Sequence, residues 1–231
     1  MRTQAVHTGS GQLAAPLGIH TPKPIKKAYE QRPEAVQAWL DGQSPAIKKR
    51  AKAEGAEIHW DDETAVINTD VCGRSYAPAG HTHVAYAVGG MRQKPSMIAT
   101  VTNQGKTRWM IIDEAFNADK LIEFLDALIR DADKKVFVIL DNLRVHHSKL
   151  VKAWVAERKD RIELFYLPNT SPELNPQERL NADLKQAIRS TVPAKTKNKL
   201  KAAATEHMMA LEKSPERVKS FFQHRHVKYA A

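Results

Sequence analysis

The sequence predicts an α/β protein in which helices pack against a mixed sheet, and three observations carry that reading. Residues 56–112 are short alternating or continuous apolar runs parted by turn residues. Val136 to Leu140 (VFVIL) is wholly apolar, the pattern of a strand buried on both faces. From residue 117 onward, apolar residues recur at helical spacing between such runs, so strands give way to alternating helix, strand and helix.

In chain order, residues 1–24 are polar and punctuated by Pro16, Pro22 and Pro24, which interrupt regular elements. Arg32-Pro33-Glu34 opens a helix whose Val36, Trp39 and Leu40 share a face, and Ser44-Pro45 starts a second, basic helix that Gly55 ends. Ile58, Trp60, Thr64 and Val66 fit a strand broken or ended by Asp61-Asp62-Glu63. Further strands are predicted over Ser75 to Ala77, Thr82 to Val88, Met97 to Thr102 and Arg108 to Ile112, with turns at Gly73, Gly80, Gly89-Gly90 and Asn103-Gln104-Gly105. Asn117 caps a helix that places Leu121, Ile122, Leu125, Leu128, Ile129 and Ala132 on one side. After VFVIL come a helix over Ser148 to Val155, a strand over Ile162 to Leu167 and a strong helix over Pro176 to Ile188. Helices over 195–212 and 214–223 close the chain, with Phe221-Phe222 as core packing.

Composition bounds the function. A length of 231 residues allows one full domain of ~150 residues plus an appendage. With 42% apolar and 27% charged residues the chain is no disordered polyelectrolyte. No apolar run approaches the ~18 residues of a membrane span, and the N-terminus has no apolar segment of the secretory type. The single cysteine, Cys72, excludes an internal disulfide and a Cys-rich zinc site and suits a reducing cytoplasm.

Charge is unevenly spread. Net charge is +6 over residues 1–53, −5 over 54–141 and +9 over 142–231. Basic flanks favour a polyanionic partner through counterion release. An acidic middle in such a protein calls for a reason, and divalent metal binding supplies one. Three acidic features lie where a sheet brings side chains together: Asp61-Asp62-Glu63 after Trp60, Asp141 as the first polar residue after VFVIL, and Glu178 at the start of a helix. Ligands of α/β sheets gather at strand ends, and carboxylate oxygens there suit hard divalent cations. Each feature alone also fits a structural role as turn former, helix cap or dipole partner. Asp113-Glu114 is read as a helix N-terminal turn. Order and element type together favour chemistry.

Phe137 to His147 (FVILDNLRVHH) and Leu167 to Lys185 (LPNTSPELNPQERLNADLK) resemble the DDE transposases of the mariner-like superfamily, in their bacterial insertion-sequence branch. The loop Ser171 to Pro176 followed by Glu178 is the most specific part of the match, and 36 residues separate Asp141 from Glu178. The resemblance implies a ribonuclease H-like fold. It also implies a DDE endonuclease that cuts DNA at element ends and joins it to target DNA with two Mg²⁺ or Mn²⁺ ions. Its catalytic and metal residues fall on Asp62, Asp141 and Glu178, with Asp61 an open competitor for the first position. Glu63, Asn142 and His146 fall on supporting positions, and His147 is read as structural. Lys195, Lys197, Lys199 and Lys201 alternate in the basic tail and are candidates for DNA contact.

The same resemblance divides the chain. Residues 1–54 correspond to the remnant of a DNA-binding region and its linker, partly disordered. Residues 55–231 correspond to the catalytic domain with C-terminal helices. Implied partners are double-stranded DNA, a second copy of the chain in the DNA complex, and a separate upstream helix-turn-helix polypeptide. The implied location is the bacterial cytoplasm, at the nucleoid. Two other readings stand beside this one: an inactive truncated remnant that binds DNA only, and a different ribonuclease H-like nuclease.

Overall fold

The computed structural model describes residues 29–67, 95–190 and 196–231. The strands expected over 75–77 and 82–88, residues 1–20, Cys72 and Lys195 lie outside the described residues. The chain divides into two compact units, residues 1–30 and 31–231, and everything below concerns the second.

That unit opens with a helical stretch. Helix α1 (Pro33–Ala38) passes through a π-helical turn at Trp39–Gln43 into α2 (Ser44–Glu54), where Gly55 turns left-handed at φ 65° and ends it. The sequence predicts two separate helices here. They run on because Pro45, which has no N–H to give, sits where the wider turn lets Ser44 bond back to Trp39. Trp39, Ile47 and Ala51 are thereby buried against the sheet.

Five strands follow: β1 (Glu57–Ala65), β2 (Ser96–Val101), β3 (Thr107–Ile112), β4 (Val136–Leu140) and β5 (Ile162–Tyr166), in the order β3-β2-β1-β4-β5. The first three form an antiparallel meander, whereas β4 and β5 run parallel to β1. Strand β1 is not ended by its acidic cluster, contrary to the sequence expectation. It continues to Ala65 because β2 pairs with it throughout, setting Asp61 against Thr100, Asp62 against Ala99 and Glu63 against Ile98. Ladder bonds to β2, with the Asn175 amide on the Asp61 carbonyl, outweigh the low strand preference of aspartate.

Helices cover both faces. On one, α3 (Ala118–Asp131) and α4 (Lys149–Ala156) bury Leu121, Leu125, Leu128 and Val151 against Ile98, Val138 and Leu140. Asn117 caps α3 by accepting from the Lys120 amide at 3.0 Å, and Ser148 caps α4 by accepting from Val151 at 3.3 Å. On the other face, α5 (Gln177–Ser190), α6 (Lys197–Glu212) and α7 (Pro215–Ser220) bury Leu180, Leu184, Leu200 and Met208 with Trp60, Phe137 and Ile139. Phe221 and Phe222 belong to that core, as the sequence predicts. Strand order, pairing sense and two-sided cover make a ribonuclease H-like sheet. Among the described residues no helix is long and apolar enough to cross a membrane.

Candidate active site

Strand register brings the first two acids together. Trp60 pairs with Ile139 across the parallel β1–β4 ladder, and both side chains enter the same core. Continuing that register by two residues sets Asp62 beside Asp141 on the same face of the sheet. Glu178 comes from the first turn of α5, which packs on that face. All three line one cleft of about 500 Å³, together with Asn142, Asn175 and the loop from Leu167 to Pro172. Burial and then the charges of Glu178, Asp61, Asp141 and Glu63 push the Asp62 carboxyl well above the usual carboxylate range. Like charges resist crowding, and among the described residues no group of three or more His, Cys, Asp or Glu closes around a point that could hold a metal ion.

Asp61 points the other way. Strand alternation puts it on the opposite face from Asp62, fully buried, and both its carboxylate oxygens lack a hydrogen-bond partner among the described residues. Burial pushes its carboxyl well up, against the pull of His146. Asp61 does not line the cleft.

His146 sits behind the cleft and touches the second acid. Its Nδ1 lies 3.0 Å from both the carboxylate Oδ1 and the backbone oxygen of Asp141, and its Nε2 lies 3.7 Å from Glu63. Burial disfavours its charged form, but the bond to Asp141, the nearby Glu63 carboxylate and the charge of Asp61 outweigh that, and the imidazole rises to about 10. It therefore carries a positive charge at neutral pH. Glu63 faces this imidazolium rather than the cleft. Asn142 lines the cleft, donates to the Leu167 carbonyl and accepts from His147 at 2.9 Å. The His147 ring in turn packs on Tyr166 with centroids 4.2 Å apart.

Three side chains not singled out by the sequence complete the arrangement. Asn181, one helical turn after Glu178, donates to Asp62 Oδ2 at 2.8 Å and is itself bonded by Gln177 at 3.2 Å. Asn175 donates to the Asp61 carbonyl at 2.8 Å, fastening the loop that precedes α5 to β1. The signal for Asn181 was its i+3 spacing from Glu178, which places both on one helix face. The same loop holds Thr170 at φ 58°, left-handed for a β-branched residue, where Gln31 donates to the Thr170 carbonyl at 3.2 Å and to Ser171 at 3.0 Å.

Two of the lysine candidates pair within the fold. Lys197 and Lys201 bind Asp113 at 2.8 Å (through its carbonyl) and 2.6 Å (through its carboxylate), while Lys199 is exposed. Asp113, expected as part of a helix-start turn, is thus an anchor for α6.

A mixed sheet with acids from two neighbouring strands and one packed helix defines an acid-cleft domain of the ribonuclease H-like class. A family profile described as DDE superfamily endonuclease matches residues 57–201, and the chain belongs to that family. No curated protein sequence matches the chain. Among solved structures it is similar to the Mos1 mariner paired-end complex with Mn, at TM-score 0.68 and 15% identity over 95% of this chain and 70% of that one. It is similar also to the pre-cleavage Mos1 transpososome, at TM-score 0.67, 14% identity, and 95% and 70% coverage. The crystal structure of the Mos1 catalytic domain matches at TM-score 0.54 and 15% identity, with 90% of this chain and 98% of that one covered. At such identities the likeness establishes the fold.

Proposed function

We propose that this chain is the catalytic part of a transposase, cutting DNA at the ends of an insertion sequence and transferring the freed strand into target DNA. The observation that carries the reading is the meeting of Asp62, Asp141 and Glu178 on one cleft of a DDE superfamily endonuclease fold. Residues 55–231 supply the chemistry, and residues 1–54 form the connection toward a DNA-binding region. The basic segment 142–231 meets the phosphate backbone, with Lys199 as an exposed contact. Two copies of the chain act on element ends brought together, and paired ends are what the Mos1 complexes are named for.

The donor set fits hard divalent cations: oxygens only, from three carboxylates, with Asp62 destabilised in its charged form by its neighbours. Asp62, Asp141 and Glu178 would hold two Mg²⁺ or Mn²⁺ ions, the metals present in Mos1 complexes. When bound, such ions neutralise charge on the attacking and leaving oxygens of an in-line displacement. The protein's own task is positioning. Asn181 fixes the Asp62 carboxylate from the helix side, and His146 fixes Asp141 from behind. Asn142 ties the start of the loop after β4 to Leu167, and Asn175 ties the α5 approach to β1, so the cleft walls keep their spacing. Water attacks the phosphodiester at the element end and frees a 3′ hydroxyl. That hydroxyl then attacks a target phosphodiester and displaces its 3′ oxygen.

A nicking assay on duplexes with element ends, in Mg²⁺ or Mn²⁺, tests this. Asp62→Asn, Asp141→Asn and Glu178→Gln should each lower nicking by orders of magnitude while non-specific DNA binding holds or rises, since a charge repelling phosphate is removed. Asp61→Asn should be milder than Asp62→Asn. Equal nicking by the three variants and the unmodified chain would overturn the assignment.

A further inference from the structure

The far edge of the sheet carries a groove outside the acidic cleft. Strand β5 is last in the sheet, paired with β4 on one side, and among the described residues no strand pairs with its other side. The ladder identifies the atoms that face out. Arg161 accepts from Val136, and Leu167 donates to Leu140 at 2.8 Å, so the odd-numbered residues turn their polar backbone atoms toward β4. The N–H and C=O of Leu164 and the N–H of Tyr166 therefore point outward along the edge.

Between that edge and α4 runs a groove of about 470 Å³. Val151, Val155, Ile162 and Leu164 form its apolar floor, and Lys152 and Lys159 stand exposed on its rim. Neither lysine has a carboxylate partner among the described residues. The one carboxylate in the lining, Glu163, is neutralised by Arg50 at 2.9 and 2.7 Å, so the groove is left positive. On the opposite face of β5, a hollow of about 250 Å³ lies among Trp39, Arg50 and Phe165. Apolar surface thus flanks the open edge on both sides, where sheet edges are ordinarily blunted.

We propose that the β5 edge and the α4 groove dock an extended segment of another protein, added to the sheet as a sixth strand. Outward backbone atoms supply the ladder, and every second side chain of the guest enters the groove. Charge and floor define the guest: apolar residues in the middle of that face and carboxylates at its ends, reaching Lys152 and Lys159. This chain's remaining segments lack that character. Residues 1–28 carry four basic and no acidic side chains, residues 68–94 three basic and one acidic, and residues 191–195 one basic and no acidic. A second copy paired edge to edge would bring like lysines together. Nucleic acid would satisfy the lysines but leave the apolar floor and the strand edge unused.

A labelled peptide of about seven residues, long enough to span β5, with one face reading Glu-Val-Val-Glu and threonine between, tests the site by fluorescence anisotropy on the full chain. It should bind, and the double variant Lys152→Glu, Lys159→Glu should weaken binding by about tenfold, equivalent to about 1.4 kcal/mol. N-methylation of the peptide amides in one alternating phase should abolish binding, and methylation of the other phase should leave it, because only one phase faces β5. The methylation arms use the unmodified protein and do not depend on the variant's folding. The proposal is overturned if a lysine-for-glutamate peptide binds equally well or if both methylation phases behave alike. It is likewise overturned if a DNA duplex displaces the peptide and loses affinity in parallel in the double variant.

Discussion

Asp62→Asn should make the protein more stable without divalent metal and less stable with it. In the fold, burial and the neighbouring charges of Glu178, Asp61, Asp141 and Glu63 disfavour the Asp62 carboxylate. Asparagine keeps the size and can still accept from Asn181, but removes one charge from the cluster. Relief of a buried, poorly compensated polar group amounts to about 1–3 kcal/mol. At about 2–4 °C per kcal/mol for a chain of this size, Tm should rise by roughly 2–12 °C. Metal reverses the order. An ion at 100-fold excess over its Kd stabilises the folded state by about 2.7 kcal/mol, and the variant forgoes most of that. Scanning calorimetry of both proteins, without metal and across a Mn²⁺ titration, should give Tm curves that cross. If Asp62→Asn melts at or below the unmodified protein without metal, the repulsion argument fails. If its Tm climbs with Mn²⁺ as steeply as that of the unmodified protein, Asp62 is not a ligand.

Asn181→Leu removes the donor to Asp62 at little cost in volume. The loss of a hydrogen bond to a charged group, about 1.5–3 kcal/mol, should slow single-turnover nicking by about 10- to 150-fold, and Tm should fall as well because the buried Gln177 amide loses its acceptor. Gly105→Ala should destabilise by about 1–3 kcal/mol in urea denaturation, because φ is 90° there and a Cβ would lie 2.6 Å from the Pro215 carbonyl oxygen. Glu57 is held at about 2, below its usual 4.5, by His59, whose Nε2 lies 3.5 Å away, and by a hydrogen bond from Lys106. Its folded pKa is the lower one, so its contribution is full above pH 4.5 and is lost as pH falls toward 2. Lys106→Met should flatten the urea midpoint's dependence on pH across that window.

What the sequence revealed of the site was whatever lay in local pattern. VFVIL declares a buried strand, and the next residue must leave the sheet edge, so Asp141 was readable. The loop Ser171 to Pro176 announced Glu178 through its resemblance to the DDE family, and the long amphipathic pattern after it placed that residue in the first turn of α5. What could not be read depends on partners distant in sequence. Whether β1 ended at its acids was decided by β2, 35 or more residues away, pairing Asp61, Asp62 and Glu63 in turn. The engagement of Lys197 and Lys201 with Asp113 joins α6 to the loop after β3, which no charge pattern in the tail encodes.

The choice between Asp61 and Asp62 follows from the two-residue period of a strand. Consecutive acids on β1 must face opposite layers. One layer offers Asp62 the open cleft, with Asn181 and Glu178 on α5. The other offers Asp61 a closed core with no hydrogen-bond partner for either oxygen among the described residues, and only the positive His146 to offset its burial. A cation must shed water to bind, and it can reach a carboxylate that lines a cleft more readily than one sealed beneath the sheet. Asp61 serves instead as a buried neighbour of His146, whose Nδ1 meets Asp141. On this account Asp61→Asn should lower the hold of His146 on Asp141 rather than remove a ligand. Its nicking defect should stay smaller than that of Asp62→Asn at every Mn²⁺ concentration, and its Tm should still climb with Mn²⁺. A flat Tm in Asp61→Asn with a rising one in Asp62→Asn would exchange the two roles.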